Sequence, residues 1–182
     1  MKSILVSICL IVCLASCNKE KDTSFSIIKD RVGKLDRISL VRDLKIIYEN
    51  DSIVKDSTST NSANNSRKVK IFEKGGKSLL TLTPNSDSIP TIENIRIEDA
   101  RFTTDKGVGL NSTFKDIKDN YTIKKVITSM NNVVILLKDS DVYFTISKEQ
   151  LPSSLRYASS VNIEAVQIPD EAKIKYMMVA WD

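Results

Sequence analysis

A ten-residue pattern occurs twice in this chain and constrains its fold more than any other feature. Residues 39–48 and 112–121 match at an offset of 73, with Ser, Asp, Lys and Tyr identical. Each copy repeats apolar residues at i, i+3 and i+7, which predicts a short helix with one buried stripe. The stripes are Val41, Leu44 and Tyr48 in the first copy, and Phe114, Ile117 and Tyr121 in the second. Ser39 and Ser112 stand where a hydroxyl can cap a helix.

Matching strand patterns follow both copies of the helix. Paired apolar runs flank Gly75-Gly76 in the first half and Asp139-Ser140 in the second, and both dipeptides are typical of hairpin turns. Further strands are expected over 91–97, 161–168 and 173–181. Residues 133–137 contain no polar residue, which indicates a central strand buried on both faces. We therefore predict an α+β fold of two tandem helix-plus-antiparallel-meander units, forming a curved sheet with helices on one face.

The doubled architecture resembles the secreted β-lactamase inhibitor protein and, in single copy, the small outer-membrane-assembly lipoproteins. The resemblance is carried by the repeated helix pattern and by Lys106–Asn111, which is similar to the glycine and helix-start element of those families. The chain departs from them at Tyr121-Thr122, where the assembly lipoproteins usually have a glycine. The resemblance implies an architecture from Phe25 onward, and it implies no functional residue.

The first sixteen residues have the three-part layout of a secretory signal peptide. Lys2 is followed by an apolar run from Ile4 to Leu14 and then by small residues. This run is about half of the roughly 20 residues that span a membrane, so cleavage is expected rather than retention. Leu14-Ala15-Ser16-Cys17 resembles a bacterial lipobox, which implies that Cys17 is lipidated and becomes the first mature residue. We expect a lipid-anchored envelope protein at the outer membrane, because two or more acyl chains hold a protein stably.

Polar stretches divide the remaining chain. The expected segments are a signal peptide at 1–16, a lipidated tether at 17–24, a first repeat at 25–97 with a flexible loop at 55–67, and a second repeat at 98–182. Both the tether and the loop are rich in charged or small polar residues and poor in apolar ones.

The composition excludes several kinds of chemistry. The chain has no histidine, and its cysteines are Cys9, Cys13 and Cys17, of which two are removed with the signal and the third is acylated. Disulfides, histidine- or cysteine-based triads, zinc sites and bound cofactors are therefore not expected. The carboxylate pairs Glu98-Asp99 and Asp139/Asp141 are read as structural. The mature net charge is only +3, with both signs interspersed, which argues against nucleic-acid binding.

The sequence favours a non-catalytic envelope lipoprotein that binds another protein through its sheet. Arg101 and Lys106, beside Phe102 on the link between repeats, are candidate partner-binding residues. Trp181 is a third candidate, although its alternation with Met177 and Val179 favours burial. The alternative is a small-ligand or glycan-binding lipoprotein of an uptake system. That alternative needs an aromatic-lined pocket, and the chain has only 11 aromatic residues for pocket and core together.

Overall fold

The structure, a computed structural model, describes residues 23–55, 68–157 and 162–181. Its strands are β1 (Ser26–Ile28), β2 (Arg31–Val32), β3 (Leu35–Asp36), β4 (Ser52–Lys55), β5 (Val69–Phe72), β6 (Ser78–Pro84), β7 (Ile92–Ile97), β8 (Thr103–Thr104), β9 (Ile123–Thr128), β10 (Asn132–Leu137), β11 (Val142–Ser147) and β12 (Ile174–Ala180). Its α-helices are α1 (Leu44–Ile47), α2 (Phe114–Asn120) and α3 (Ser153–Arg156). Single 3-10 turns cover Val41–Asp43, Lys148–Gln150 and Ala165–Gln167.

The strands of these ranges form two sheets. Eight strands make an antiparallel sheet in the order β4-β5-β6-β7-β12-β11-β10-β9. The two halves of the chain meet in its middle, where β7 pairs with β12 from Met177 opposite Ile97 to Ala180 opposite Asn94. A smaller sheet has the order β3-β2-β1-β8, in which β1 and β8 run parallel.

One face of the eight-stranded sheet is the wall of the core. The period-two pattern puts Val133, Ile135 and Leu137 of β10 on that face, fully or nearly fully buried, while the residues between them are half-exposed. The same hydrophobic cluster includes side chains from the small sheet and the helices, namely Ile27, Val32, Leu35, Leu44, Tyr48, Phe114 and Ile117. Removing this apolar area from water is what holds the small elements to the large sheet.

The expected fold class is wrong. We predicted an α+β fold of two helix-plus-meander units, but the described residues are mostly β, with one large antiparallel sheet and a second sheet that was not foreseen. The first expected helix is one 3-10 turn followed by the four residues of α1, and α2 has seven residues. An apolar stripe at helical spacing therefore marks which side chains are buried, and it does not require a long helix.

Several local predictions also need correction. The N-cap of α2 is Thr113, which forms a capping box with Asp116, whereas the Ser112 hydroxyl accepts a hydrogen bond from the backbone of Gly109. Ser39 likewise binds the backbone N–H of Asp36 rather than capping a helix. The strand expected over 161–168 is instead a 3-10 turn at Ala165–Gln167, with residue 161 outside the described part. Finally, β10 is buried on one face rather than two.

Other local predictions are confirmed. Residues 73–77 join β5 to β6 and include Gly75-Gly76, and both glycines have positive φ. Residues 138–141 join β10 to β11 and include Asp139-Ser140, with Asp139 at a φ of 56°. Both turns lie where they were predicted, but they are longer than two residues. The terminal strand expected over 173–181 is β12.

The expected signal peptide, Cys17 and most of both polar segments lie outside the described residues, in 1–22 and 56–67. Among the residues that are described, we find no helix with the length and apolar character needed to cross a membrane.

Candidate functional site: the open face of the sheet

The second face of the eight-stranded sheet carries a continuous row of half-exposed side chains. Strand register places Leu136 opposite Tyr143, Tyr143 opposite Met178, Met178 opposite Arg96, and Arg96 opposite Thr81. We call this row and its neighbours the open face; its members are Thr81, Thr83, Asn94, Arg96, Val134, Leu136, Tyr143, Tyr176 and Met178, all of intermediate exposure. The row crosses both halves of the chain, so neither half could form it alone.

Polar contacts hold several of these side chains in place. The Asn94 amide donates a hydrogen bond of 2.8 Å to the Tyr143 hydroxyl. The Arg96 guanidinium lies 4.1 Å from the centre of the Tyr176 ring, and Arg96 Nε is 3.3 Å from a carboxylate oxygen of Glu98. Tyrosine, methionine and arginine are enriched at protein interfaces. Because their side chains are already positioned, binding through them costs less conformational entropy.

A buried carboxylate lies at the end of β7. The Asp99 side chain is completely buried. It accepts hydrogen bonds from three groups of Arg101: the backbone N–H (2.9 Å), Nε (3.0 Å) and Nη2 (2.6 Å). Lys77 Nζ lies 3.1 Å from the same carboxylate. Burial tends to raise the pKa of Asp99, but the hydrogen bonds from Arg101 and Lys77 outweigh it and hold the pKa at about 2. Asp99 therefore stays ionised near neutral pH.

Arg101 continues this cluster toward the surface. Its guanidinium donates two hydrogen bonds to Glu73, of 3.0 and 2.8 Å, and lies 4.1 Å from the centre of the Phe25 ring. The hydrogen bond from Arg101 lowers the pKa of Glu73, and the bonds to Asp99 and Glu73 raise the pKa of Arg101. Glu98 instead accepts a hydrogen bond from Thr81, so the Glu98-Asp99 carboxylates do not form a proton-sharing pair.

The structure does not bring the three candidate partner-binding residues together. Arg101 is engaged by Asp99, Glu73 and Phe25. Lys106 donates to the backbone carbonyl of Asn120 at 2.6 Å and lies over the Tyr121 ring. Trp181 is only 5% exposed and belongs to the core, as its alternation with Met177 and Val179 predicted. Each of these three side chains therefore makes contacts within the described residues, and its role in binding a partner stays a prediction.

The open face was missed because its signal is weak. The strands were recognised by the apolar residues at every second position. The residues of the open face are the more polar ones between them. Thr81, Asn94 and Tyr143 look like ordinary solvent-facing positions of a strand until the pairing of all eight strands puts them side by side.

Two cavities bear on the ligand-binding alternative. A groove of about 1010 Å³ lies between the ends of β1, β8 and α2 and the β10–β11 turn, and nine charged side chains line it. Lys106 Nζ lies 4.4 Å from the ring centre of Tyr121, the aromatic side chain in its lining. A second cavity of about 180 Å³ is lined by Phe25, Tyr48 and Phe102.

Tyr48 gives the smaller cavity a polar group. The residue is 3% exposed, and its buried hydroxyl hydrogen-bonds to no described side chain or backbone group. Burial and the nearby Asp51 carboxylate raise the pKa of Tyr48, so the hydroxyl keeps its proton. No cluster of three or more potential metal ligands of the His, Cys, Asp or Glu type occurs in the part of the chain that the structure describes.

Comparison with known proteins gives a fold and no family. No protein-family model matches the chain, and no curated protein matches it. The chain is similar in structure to YfeY, an uncharacterized protein from Escherichia coli, with a TM-score of 0.57 and 15% sequence identity over 87% of this chain and 99% of that one. At this identity the likeness concerns the fold alone.

Proposed function

We propose that this chain is a non-catalytic lipoprotein of the bacterial envelope, anchored through Cys17 at the outer membrane, that binds another protein through its open face. The observation that supports binding is the row from Leu136 through Tyr143 and Met178 to Arg96, whose side chains are half-exposed and adjacent across four strands. The support for anchoring is the lipobox-like sequence that ends at Cys17.

The open face is large enough for a contact patch. Its five strands, spaced at about 4.8 Å and about six residues long with a rise of about 3.3 Å per residue, give a patch of roughly 20 by 20 Å. This is about half of the roughly 800 Å² of surface that a stable interface takes from each partner. Tyr143, Tyr176 and Met178 would supply the apolar centre, with Arg96 and Asn94 as polar contacts that set specificity.

Photo-crosslinking in intact envelopes tests the binding proposal. A photoreactive amino acid replaces Tyr143 on the open face or, as the control, Ile38, which is 84% exposed outside the eight-stranded sheet. We expect a discrete protein adduct at position 143 that is absent at 38 and is lost when Met178→Lys is added. Equal labelling at both positions, or no adduct at 143, would contradict binding through the open face.

Mass spectrometry tests the anchoring separately. The mature product should begin at Cys17 and carry diacylglycerol and a fatty acid, and Cys17→Ser should release the protein from membranes. A free thiol at Cys17 in membrane-associated protein would contradict lipidation without bearing on the open face.

Binding of a small ligand is a second candidate, and the cavity beside Tyr48 favours it. A buried hydroxyl without a partner costs about 1–3 kcal/mol, which a ligand with a hydrogen-bonding group and an apolar body would recover. Calorimetric titration with a panel of small phenols, amines and monosaccharides tests this candidate. Binding that is lost in Tyr48→Phe supports this candidate. Equal heats of binding for the parent protein and Tyr48→Phe count against it.

A further inference from the structure

Strand β9 is an outer edge of the eight-stranded sheet. Five of its six residues pair with β10, and Lys124 is skipped at a register shift. No described backbone group hydrogen-bonds to the backbone on its other side, although Ile163 N–H donates to the Thr128 hydroxyl at 3.0 Å. A sheet edge of this length exposes a row of unpaired N–H and C=O groups that another extended chain can use.

The hairpin that joins β9 to β10 shows which backbone groups point outward. Ser129 N–H donates to the Asn132 carbonyl at 2.8 Å, so these two residues form a hydrogen-bonded pair. Pairs alternate in an antiparallel ladder, so Thr128 opposite Val133 and Val126 opposite Ile135 are non-hydrogen-bonded pairs. The N–H and C=O groups of Val126 and Thr128 therefore face away from β10, available to an added strand.

The side chains along this edge are basic and apolar. Lys124 and Lys125 are exposed, and Lys138 lies beside the start of β9, where its backbone N–H donates to the Thr122 carbonyl. None of these three ammonium groups has an ion-pair partner among the described residues. Ile127, on the same strand, is 41% exposed.

The large groove continues from this edge. Lys124 and Lys138 line it together with Lys29, another lysine without a described partner. Of the groove's four carboxylates, Asp119 pairs with Lys115 and Asp141 with Arg37. The other two, Asp105 and Asp139, have no ion pair among the described residues. A strand added along β9 would thus pass three unpaired ammonium groups as it reached the groove.

We propose that β9 binds an extended, acidic segment of a partner protein as a ninth strand of the sheet. This inference rests on the proposed protein-binding function and names the chemistry of the partner. Main-chain hydrogen bonds from Val126 and Thr128 would supply affinity, while Lys124 and Lys125 would select carboxylates. A second copy of this chain is a poor occupant, because pairing two β9 strands would bring their lysines together.

Fluorescence anisotropy with defined peptides tests this proposal on the full mature chain in detergent. The probe is a fluorescein-labelled nine-residue peptide that alternates Val with Glu, and its comparison peptide has Lys in place of Glu. We expect the Glu peptide to bind at least tenfold more tightly than the Lys peptide, with affinity that falls as salt is added.

Two variants and two controls identify the edge as the site. Val126→Pro removes an outward N–H and should weaken binding of the Glu peptide at least tenfold. Val126→Thr keeps that N–H and should leave the affinity unchanged. The double change Lys124→Glu and Lys125→Glu should also abolish binding. Lys74→Glu, which alters an exposed lysine in the β5–β6 turn, should leave it unchanged. The charge variants keep the test valid even if the proline variant fails to fold.

The outcomes separate this inference from the proposed function. If the Glu peptide does not bind, or binds equally to the Lys124/Lys125 variant, the edge proposal is overturned while a Tyr143 adduct still supports the open face. If the Glu peptide binds and Met178→Lys does not change its affinity, the edge acts as a site in its own right.

Discussion

Replacing the buried carboxylate of Asp99 with an amide should destabilise the protein in a pH-dependent way. In Asp99→Asn the negative charge that faces Arg101 and Lys77 is lost while the side-chain volume is kept. The folded-state pKa of Asp99 is about 2, against an ordinary value of 3.8. At about 1.4 kcal/mol per pKa unit, this difference contributes about 2 kcal/mol to the free energy of unfolding.

The sign of the pH effect follows from the direction of the shift. Because folding lowers the pKa of Asp99, its contribution is fully present above pH 3.8 and is lost as the pH falls toward about 2. The variant should therefore be about 2 kcal/mol less stable than the parent at pH 7, and the two should converge near pH 2. In a domain of this size that loss lowers Tm by roughly 4–8 °C at neutral pH.

Urea denaturation of the two proteins at pH 7, 4 and 2.5 measures this directly. The neighbouring change Glu98→Gln is the control, since Glu98 is partly exposed and should contribute no more than about 1 kcal/mol. A difference for Asp99→Asn that is below about 0.5 kcal/mol at pH 7, or that does not shrink in acid, would refute the assignment of Asp99 as an ion-paired buried charge.

Further stability predictions concern a helix start and a tight turn. Thr113→Ala removes the capping box of α2 and should cost about 1 kcal/mol in the same urea assay, whereas Ser112→Ala, one residue earlier, should cost less because Ser112 does not cap the helix. Gly33→Ala should be more damaging than Gly107→Ala. Both positions have positive φ, but only at Gly33 would the new methyl lie 2.5 Å from the Ser24 carbonyl oxygen. Equal thermal shifts for these two variants would show that the close contact with Ser24 relaxes at no cost.

Which residues are buried could be predicted from the sequence, because burial depends on local apolar spacing. Leu44, Phe114 and Ile117 were taken from helical stripes and are core residues, although the elements that carry them are short. Val41 and Tyr121 of the same stripes are only partly buried. The alternation that ends at Trp181 correctly indicated both a strand and a buried tryptophan. The turns at Gly75-Gly76 and Asp139-Ser140 could also be predicted from local sequence, because they need residues that tolerate positive φ.

The candidate site could not be predicted, because it depends on contacts between distant strands. Asn94 and Tyr143 are 49 positions apart and hydrogen-bond only because β7, β12 and β11 are neighbours in one sheet. The ion pairs around Arg101 also depend on distant residues, since Glu73 and Arg101 lie 28 positions apart. A sequence specifies each strand's two faces, but long-range pairing decides which strands lie together.

The sequence by itself determined the lipobox-like start, the absence of histidine and the residues of the core. Only the tertiary structure decided that eight strands join into one sheet, that Arg101 pairs with Asp99 and Glu73, and that β9 is left at an edge. The physical reason is that side-chain chemistry and local spacing are properties of neighbouring residues. Sheet order and edges are fixed by the packing of the whole chain around one core.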